Sequence, residues 1–488
     1  MTPHIILTDN TTKSFLNCES HNKIHAYQDL QSVAGKTLSE LCKDSENLLV
    51  FPNCLNDHKD DVDELSICEL SGLPNYDSEN KITNVDDVKI KTSNLMGFIG
   101  FSGKGHHNTK LKICSRFTSG DKNKDDKDFF LHYMLEKVFK INLFDLNYSF
   151  TKSEVFDFLY LLFPYFLKKA LSQGVFRSYR VYEKNDSAVR GTINVSRHIR
   201  QNPIFNGKVA YRSREYSYDN HITQLIRHTI KFIRTKEIGR AILTGDDETR
   251  QGIKQIEMAT ASSYSHQGLR KVLHQNTKLI NHPYYTHYKN LQKLCLMILN
   301  HLNIQYAESS DSVYGILFDG AWLWEEYLTT ILEDNKLGID KFVHPNNKTG
   351  KGGIHLYTSG TGIRYPDFYR ENDKIVLDAK YKALSYEVKK DDETFEDIKI
   401  GFRRDDIHQL VTYMHILQYS KGAFIFPDKY SDSHSESNIR SLSKWRELNG
   451  FGGKINAFGL KIPSATDYSL FKSQMKLLES DLISSFSE

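Results

Sequence analysis

Several familiar signatures are missing from this sequence of 488 residues. Its six cysteines occur without a C-x-x-C pair or a Cys/His ligand spacing, which argues against a zinc site and a disulfide framework and favours reduced thiols. No apolar run approaches the roughly 18 residues that a membrane span requires. The N-terminus lacks a basic region followed by an apolar stretch. We therefore expect a cytoplasmic protein without a membrane partner.

A nucleotide-binding motif is missing as well. Residues 34–37 (AGKT) resemble the last residues of a P-loop motif, but Leu30 occupies the position of the first glycine of that motif. We expect this chain to bind no nucleotide, so any movement along a polymer would need a separate motor protein. No internal repeat is visible, and the apolar fraction of 39% with a charged fraction of 26% argues against wholesale disorder.

The net charge is close to zero, because 64 Lys and Arg face 61 Asp and Glu. These charges are unevenly distributed. Residues 41–90 hold twelve acidic and four basic residues, a net charge of −8, whereas residues 190–240 hold three acidic and eleven basic residues, a net charge of +8. The basic segment (residues 190–240) in the middle of the chain and the acidic segment (residues 41–90) in its front part suggest a polyanionic partner. Two solvated protein faces would give the same composition.

The length is typical of about three domains. Residues 1–145 predict a β-rich module, with short strands and loops over residues 1–90 and a β-hairpin over residues 95–114. Residues 146–305 predict a helical, basic middle domain from apolar residues at three- and four-residue spacing. Residues 306–488 follow the order helix, hairpin, helix, strand, an α/β pattern. The fold class is therefore α+β or α/β and multidomain.

The last region contains a hairpin whose register can be predicted. If Asn372 and Asp373 form a two-residue turn, the numbers of paired residues sum to 745, which sets Asp367 opposite Asp378. Two opposed carboxylates repel each other unless a divalent cation lies between them, and Mg²⁺ is held by one or two carboxylates with water and substrate phosphate. Lys380 lies two residues further on and so shares the face of Asp378.

Helices on either side of the hairpin offer further candidates. Glu325 lies amid apolar residues of a helix predicted over residues 321–332, with Asp319 as its cap, and could complete a metal shell. Glu326 is an equal candidate for that role. Gln409 and Tyr413 are four residues apart on the later helix and share a face. A Pro-Asp dipeptide followed by an Asp-x-Lys motif would, on its own, often be a surface hairpin with an ion pair. Here the two motifs occur in order with an acid on the preceding helix and a Gln/Tyr pair on the following one, which favours a functional site.

This ordered set resembles the PD-(D/E)xK nuclease core, a restriction-endonuclease-like domain with a mixed sheet, and its helical Gln/Tyr pair resembles the RecB-like branch. More narrowly, LWEEY around Glu325, YPD ending at Asp367, IVLDAKYK around Asp378 and DIHQ ending at Gln409 look like the C-terminal half of the McrC family. That family supplies the nuclease subunit of McrBC-type modification-dependent restriction systems.

The resemblance covers roughly residues 90–430. Upstream, residues 189–194 (VRGTIN) and 211–220 (YRSREYSYDN) resemble the central signatures of the family, and the hairpin within residues 91–145 resembles its N-terminal β module. The resemblance implies that this hairpin contacts a partner protein.

Some positions depart from the family pattern. Thr192 stands where the first central signature has a basic residue, and Thr223 where the second has its last Asn. Residues 1–90 have no counterpart, and the charged insertion at residues 387–405 is longer than expected. These departures leave the role of the front and any preference for a sequence or base modification open.

The resemblance implies Mg²⁺-dependent cleavage of phosphodiesters in double-stranded DNA, with Mn²⁺ as a possible substitute. Asp367, Asp378 and Glu325 would bind the metal, while Lys380 would position or deprotonate the attacking water, or offset charge in the transition state. The helical Gln/Tyr pair would orient the site or the DNA backbone.

The resemblance also implies a partner, a McrB-like AAA+ GTPase that forms a hexameric ring and that this chain would stimulate. The basic segment would meet DNA phosphates or an acidic surface of this partner. The candidate contacts there are Arg190, Arg197, Arg212 and Arg214. Two other hypotheses are a non-catalytic adaptor that activates the motor and a stand-alone RecB-like nuclease. The repulsive carboxylate pair argues against the adaptor, because a scaffold has no use for it.

Overall fold

The computed structural model describes residues 4–17, 22–44, 48–52, 64–79, 81–102, 106–107, 109–118, 128–139, 154–236, 239–304, 312–332, 341–345, 352–382, 386–389, 397–400, 402–429, 439–441, 445–450 and 452–486. The chain divides into two compact units, one formed by residues 1–140 with 309–488 and the other by residues 141–308. The boundaries predicted at residues 145 and 305 lie outside the described residues, and the three-domain division stays a prediction. Helices in the described ranges are too short or too polar to cross a membrane.

The front of the chain combines short strands with helices. Its elements are β1 (His4–Thr8), β2 (Thr12–Ser14), α1 (Lys23–Gln31), α2 (Leu38–Asp44), β3 (Leu48–Phe51), β4 (Cys68–Ser71), β5 (Asn75–Tyr76), β6 (Ile82–Asn84), β7 (Lys89–Thr92), β8 (Leu95–Ser102), β9 (Lys110–Cys114) and α3 (Phe129–Phe139). Strands β8 and β9 pair antiparallel, which confirms the predicted hairpin. Helices α1 and α2 were not predicted, and they bury Leu30 and Leu41 in the core of the front.

The middle unit is mainly helical, with one small sheet. Its elements are α4 (Glu154–Leu171), β10 (Ser178–Asp186), β11 (Thr192–Ile193), α5 (Val195–Gln201), β12 (Val209–Ser217), α6 (His221–Arg234), α7 (Gly239–Thr244), α8 (Asp247–Ala259), α9 (Leu269–Gln275) and α10 (His287–Ile304). The sheet has the order β10-β12-β11 and is antiparallel. The spacing of apolar residues predicts a helix over residues 281–303, and the observed helix α10 begins six residues later.

The C-terminal part alternates strands and helices. Its elements are β13 (Ser312–Asp319), α11 (Gly320–Leu332), β14 (Ile354–His355), β15 (Ile363–Arg364), β16 (Phe368–Arg370), β17 (Ile375–Ala379), β18 (Tyr386–Lys389), β19 (Asp397–Ile400), α12 (Arg404–Leu417), β20 (Lys421–Lys429), β21 (Ile439–Ser441), β22 (Arg446–Glu447), β23 (Lys454–Ile462) and α13 (Tyr468–Ser485). The hairpin pattern predicts a first strand over residues 363–370, but this segment is divided into β15 and β16, with Pro366 between them. Within the long insertion, β18 and β19 pair as a hairpin.

A six-stranded mixed sheet supports the C-terminal part. Its order is β16-β17-β20-β23-β21, and β22 also pairs with β23. Strands β17, β20 and β23 are parallel, and β16 is antiparallel to β17. Helix α12 packs on the face that carries Val376 and Phe424, where it buries Leu410 and Met414. Strand β17 has β16 on one edge and β20 on the other, and such an interior position in the sheet suits its apolar sequence.

The hairpin of β16 and β17 has the predicted register. Its pairs are Phe368 with Leu377, Tyr369 with Val376 and Arg370 with Ile375, and each pair sums to 745. The turn is longer than predicted, because residues 371–374 lie outside both strands. A four-residue turn has the same centre as a two-residue turn, so the register is unchanged.

Strand β13 joins the C-terminal part to the front. It lies between β8 and β3 in a five-stranded sheet of order β1-β9-β8-β13-β3, and Leu317 belongs to the core of the front. Two glycines allow this contact. A Cβ atom on Gly97 would lie 2.2 Å from the carbonyl oxygen of Ile316, and one on Gly315 would lie 2.1 Å from that of Phe98. A side chain at either glycine would separate the two strands.

Candidate active site

Strand β17 carries Asp378 to the end of the apolar run that precedes it. Since side chains alternate along a strand, Asp378 and Lys380 follow Val376 on the face covered by α12. The Asp378 side chain is 0% exposed, and its Oδ2 lies 2.7 Å from the Lys380 Nζ. Its Oδ1 receives no hydrogen bond from any described residue. A buried carboxylate with this little support is costly.

Asp367 completes the carboxylate pair from the neighbouring strand. It directly precedes β16, and its Oδ2 accepts a hydrogen bond of 2.6 Å from the Ala379 amide. Burial, with a smaller contribution from the charge of Asp367, raises the pKa of Asp378 to about 7. Burial and the charge of Glu325 raise the pKa of Asp367 to about 7. The two acids therefore hold protons far more tightly than solvated carboxylates do.

Lys380 is the cation of this cluster. Its side chain is 15% exposed, and its Nζ also lies 3.7 Å from Asp406 Oδ1. Burial alone would lower the pKa of Lys380, but the charge of Asp378, with help from Asp367 and Asp406, outweighs burial and raises it. The lysine is therefore an ammonium ion at neutral pH.

Helix α12 contributes a chain of hydrogen bonds to Lys380. The Lys380 Nζ donates to the Gln409 Oε1 at 3.4 Å, and the Gln409 Nε2 donates to the Tyr413 hydroxyl at 2.8 Å. That hydroxyl donates in turn to the carbonyl oxygen of Tyr365 at 3.4 Å, two residues before Asp367. The structure thus brings both predicted helical residues to the predicted hairpin.

Helix α11 brings an acid to the same place. Asp319 caps this helix as predicted, because its Oδ1 accepts a 3.0 Å hydrogen bond from the Ala321 amide. Glu325, whose side chain is 37% exposed, interacts with the charges of Asp378 and Lys380. Burial, followed by the charges of Glu326 and Asp378, raises the pKa of Glu325 to about 7. The charge of Glu325 thus contributes to the raised pKa of Asp367.

Two further residues lie at the site and were not anticipated. The His344 Nε2 lies 3.8 Å from Glu325 Oε1, and its Nδ1 is 2.8 Å from the Asp367 carbonyl oxygen. Asp406 accepts a 2.6 Å hydrogen bond from Lys382 at its Oδ2. The position of Asp406 in the first turn of α12 was a usable signal, whereas nothing local pointed to His344.

The carboxylates do not form a closed metal cage. Among the described residues, no group of three His, Cys, Asp or Glu side chains is arranged to hold an ion on its own. The pair of Asp367 and Asp378 does offer hard oxygen ligands, and one oxygen of Asp378 lacks a donor. These carboxylate ligands suit a cation whose remaining coordination positions are occupied by water and substrate.

The candidate arginines of the middle unit lie around its small sheet. Arg212 donates a 3.0 Å hydrogen bond to Glu183, and Arg197 lies 3.8 Å from the same carboxylate. Arg214 lies over the exposed ring of Tyr179, 4.5 Å from its centroid, and Arg190 is exposed. The positive charge of Arg197 and Arg212 is therefore partly neutralised within the unit.

The central signatures have structural roles in this unit. A Cβ atom on Gly191 would lie 2.1 Å from the Arg212 carbonyl oxygen, so only glycine fits beside β12 there. Asn220 caps α6, since its Oδ1 accepts hydrogen bonds from the amides of Ile222 and Thr223. The Thr223 hydroxyl accepts a 3.1 Å hydrogen bond from the Asn220 amide and completes a capping box.

Comparisons with known proteins agree with this architecture. One solved structure, a half-complex from a tetradecameric assembly of Thermococcus gammatolerans McrB AAA+ hexamers with bound McrC, matches over 99% of this chain and 99% of its own, with 15% identity and a TM-score of 0.50. This likeness shows a shared fold. A second structure, the cryo-EM structure of the Thermococcus gammatolerans McrBC complex, covers 70% of this chain and 89% of its own, with 15% identity and a TM-score of 0.32.

A search of curated proteins finds no match. The model of one protein family does match, over residues 90–427, which is well over half of the chain and includes both the central signatures and the carboxylate hairpin. The chain therefore belongs to the family described as McrBC, the McrBC 5-methylcytosine restriction system component.

Proposed function

We propose that this chain is the Mg²⁺-dependent DNA endonuclease subunit of a McrBC-like restriction complex. The complex would act in the cytoplasm in defence against phage DNA, and residues 306–488 would form a PD-(D/E)xK nuclease domain. One observation carries this proposal. A fully buried Asp378 lies beside Asp367 and the Lys380 ammonium, with an oxygen that no described residue satisfies. A protein without a use for this cluster would gain stability from replacing it.

Asp367 and Asp378 would hold the Mg²⁺ ion, with Glu325 as a further ligand. The bound ion would polarise the scissile phosphate and lower the pKa of an attacking water. Carboxylate oxygens also suit Mn²⁺, which we expect to substitute. The chain's own contribution is to hold two acids from adjacent strands within one buried cluster before DNA arrives.

The Lys380 ammonium would offset the negative charge that develops on the phosphate. Its raised pKa leaves it without a free lone pair at neutral pH, which disfavours a role as the base that deprotonates water. Preorganised positive charge in a site shielded from water is an effective source of transition-state stabilisation. Gln409 and Tyr413 would hold the ammonium in position through their hydrogen bonds.

The proposal includes two macromolecular partners. One is double-stranded DNA, and the other is a McrB-like AAA+ GTPase in a hexameric ring, which the front hairpin would contact. Support for the ring comes from the family and from the structural relative, which contains McrB AAA+ hexamers with bound McrC. We assign DNA or ring contacts in the middle unit to Arg190, Arg197, Arg212 and Arg214.

A plasmid digestion tests the function. Plasmid with and without 5-methylcytosine is incubated with the chain and Mg²⁺, in the presence and absence of the partner GTPase and GTP. We expect cleavage that needs Mg²⁺ and the partner and that Asp378→Asn abolishes without loss of complex formation. Glu371→Gln is a matched control, because Glu371 lies in the turn of the same hairpin with its side chain 81% exposed.

Each alternative has its own outcome in this assay. Cleavage by the Asp378→Asn protein would refute the site. Stimulated GTP hydrolysis without cleavage by the wild type would identify an adaptor. Cleavage without any partner would identify a stand-alone nuclease.

A further inference from the structure

Two residues of the front touch the elements that carry the proposed site. Asn94 lies between β7 and β8, and Arg116 follows β9. Both belong to the same compact unit as the site, and neither has a part in the proposed chemistry. We call this pair the junction. Its contacts lead to both β17 and α11.

Arg116 holds the residue that follows the catalytic lysine. Its Nη2 donates a 2.5 Å hydrogen bond to the carbonyl oxygen of Tyr381, and its guanidinium lies over the Tyr381 ring, 4.7 Å from the centroid. The Tyr381 hydroxyl is 2.8 Å from the hydroxyl of Ser115. Since Tyr381 is bonded directly to Lys380, the junction fixes the chain at the end of β17.

Asn94 holds the start of the helix that carries Glu325. Its carbonyl oxygen accepts a 2.8 Å hydrogen bond from the Gly320 amide, and its Nδ2 donates to Asp319 Oδ1 at 2.9 Å. Asn94 Oδ1 also accepts a 3.2 Å hydrogen bond from Arg116 Nη2. The same guanidinium nitrogen therefore bonds to the end of β17 and to the residue that holds α11.

The junction itself is anchored in the front sheet. The Arg116 amide donates a 2.5 Å hydrogen bond to Asp9 Oδ1, and its Nη1 lies 3.7 Å from Asp9 Oδ2. The Arg116 side chain is 9% exposed and that of Asp9 is completely buried. A planar guanidinium with several donors keeps its direction better than a flexible ammonium does.

We propose that Arg116 is a positioning residue that aligns Lys380, which directly follows β17, with Glu325 on α11. This inference rests on the proposed nuclease function and extends it to the front. The two side chains come from separate parts of the chain, and a displacement of about 1 Å can cost about 100-fold in rate. A contact shared by both elements would hold them in mutual alignment.

The test compares Arg116→Lys with the wild type, each as the full chain in the presence of the partner GTPase and GTP. Lysine keeps the charge opposite Asp9 but cannot reach Tyr381 and Asn94 together. We expect the single-turnover cleavage rate at saturating Mg²⁺ to fall about 10- to 100-fold, with unchanged DNA affinity. We also expect faster hydrogen–deuterium exchange in β17 and α11 of the protein alone, and unchanged exchange in β23.

Lys23→Arg is the matched control, since it exchanges a cation at another ion pair of the front. The Lys23 Nζ lies 2.8 Å from Asp86 Oδ1 and donates to the Leu16 carbonyl oxygen at 3.0 Å. This variant should cleave and exchange like the wild type. Asp378→Asn in the same assay shows whether the measured cleavage comes from the proposed site.

Wild-type cleavage or wild-type exchange in Arg116→Lys would overturn the inference while leaving the proposed function intact. If the wild type does not cleave at all, the proposed function fails and the positioning role fails with it. If Arg116→Lys does not fold, the Asn94→Ala variant tests the inference in its place. A folded Asn94→Ala protein with slower cleavage and faster exchange in α11 supports the junction, and one that behaves like the wild type refutes it.

Discussion

Replacement of Asp378 by Asn should stabilise the metal-free protein above pH 7 while abolishing cleavage. Burial raises the pKa of Asp378 from 3.8 to about 7 in the folded protein. Between these values the unfolded chain releases a proton that the folded chain keeps, so stability falls as the pH rises. At about 1.4 kcal/mol per pH unit, the loss amounts to about 4 kcal/mol by pH 8. An asparagine does not titrate and escapes this loss.

Urea unfolding measures this difference, and the fluorescence of the buried Trp322 and Trp324 on α11 is a suitable signal. The free energy of unfolding of Asp378→Asn relative to wild type should be near zero at pH 4 and rise by about 4 kcal/mol at pH 8. Comparing two proteins at each pH cancels the titration of the acids that do not interact with Asp378. Parallel pH profiles for the two proteins would refute the assignment of a buried, destabilising carboxylate.

Magnesium gives the second half of the same experiment. Binding to the folded state alone should stabilise the wild type at pH 8 as the Mg²⁺ concentration rises. Asp378→Asn should lose most of this stabilisation, because it lacks one of the two paired ligands. Glu371→Gln should keep it. Equal stabilisation of the wild type and Asp378→Asn would place the cation elsewhere.

Two other substitutions separate chemistry from architecture. Lys380→Met removes the ammonium beside Asp378, so we expect cleavage to fall about 100- to 1,000-fold with retained DNA binding, measured by single-turnover kinetics and a filter-binding assay. Cleavage within tenfold of the wild type would contradict the role of the charge. Asn220→Ala removes the cap of α6, so calorimetry should show a loss of about 1 to 2 kcal/mol in the middle unit. Cleavage by a complex assembled below the unfolding temperature should be unaffected, and an undiminished stability would contradict the capping role.

The carboxylate hairpin could be predicted because its determinants are local. A turn sequence and a strand period of two are enough to set the register, and an error in the turn length left the pairing of Phe368 with Leu377 unchanged. The helical partners Gln409 and Tyr413 were found from their spacing and order. The roles of these residues in catalysis stay predictions.

The residues that were missed depend on contacts between distant parts of the chain. His344 reaches the site because the neighbouring Val343 forms an isolated bridge with Tyr369, and short bridges leave no periodic pattern. Arg116 contacts Tyr381 across 265 positions. A single sequence carries no signal for such a pair, since each residue is ordinary in its local context.

The strand order of the five-stranded sheet could not be predicted from the sequence either. Strand β13 follows the middle unit in the chain, yet it pairs with β8 and β3 of the front. Nothing in its own sequence identifies these neighbours. The glycines at 97 and 315 become informative only when the two strands are known to lie together.

The position of β13 in this sheet also affects how the protein is made. A ribosome synthesises residues 312–319 only after the whole segment 141–308, so β3 lacks its strand partner and β8 keeps an open edge during that time. At roughly 5 to 20 residues per second, the delay between the end of β8 and the end of β13 is about 10 to 40 s. Exposed strand edges invite pairing with other chains. Nascent chains should therefore depend on chaperones until β13 has left the ribosome.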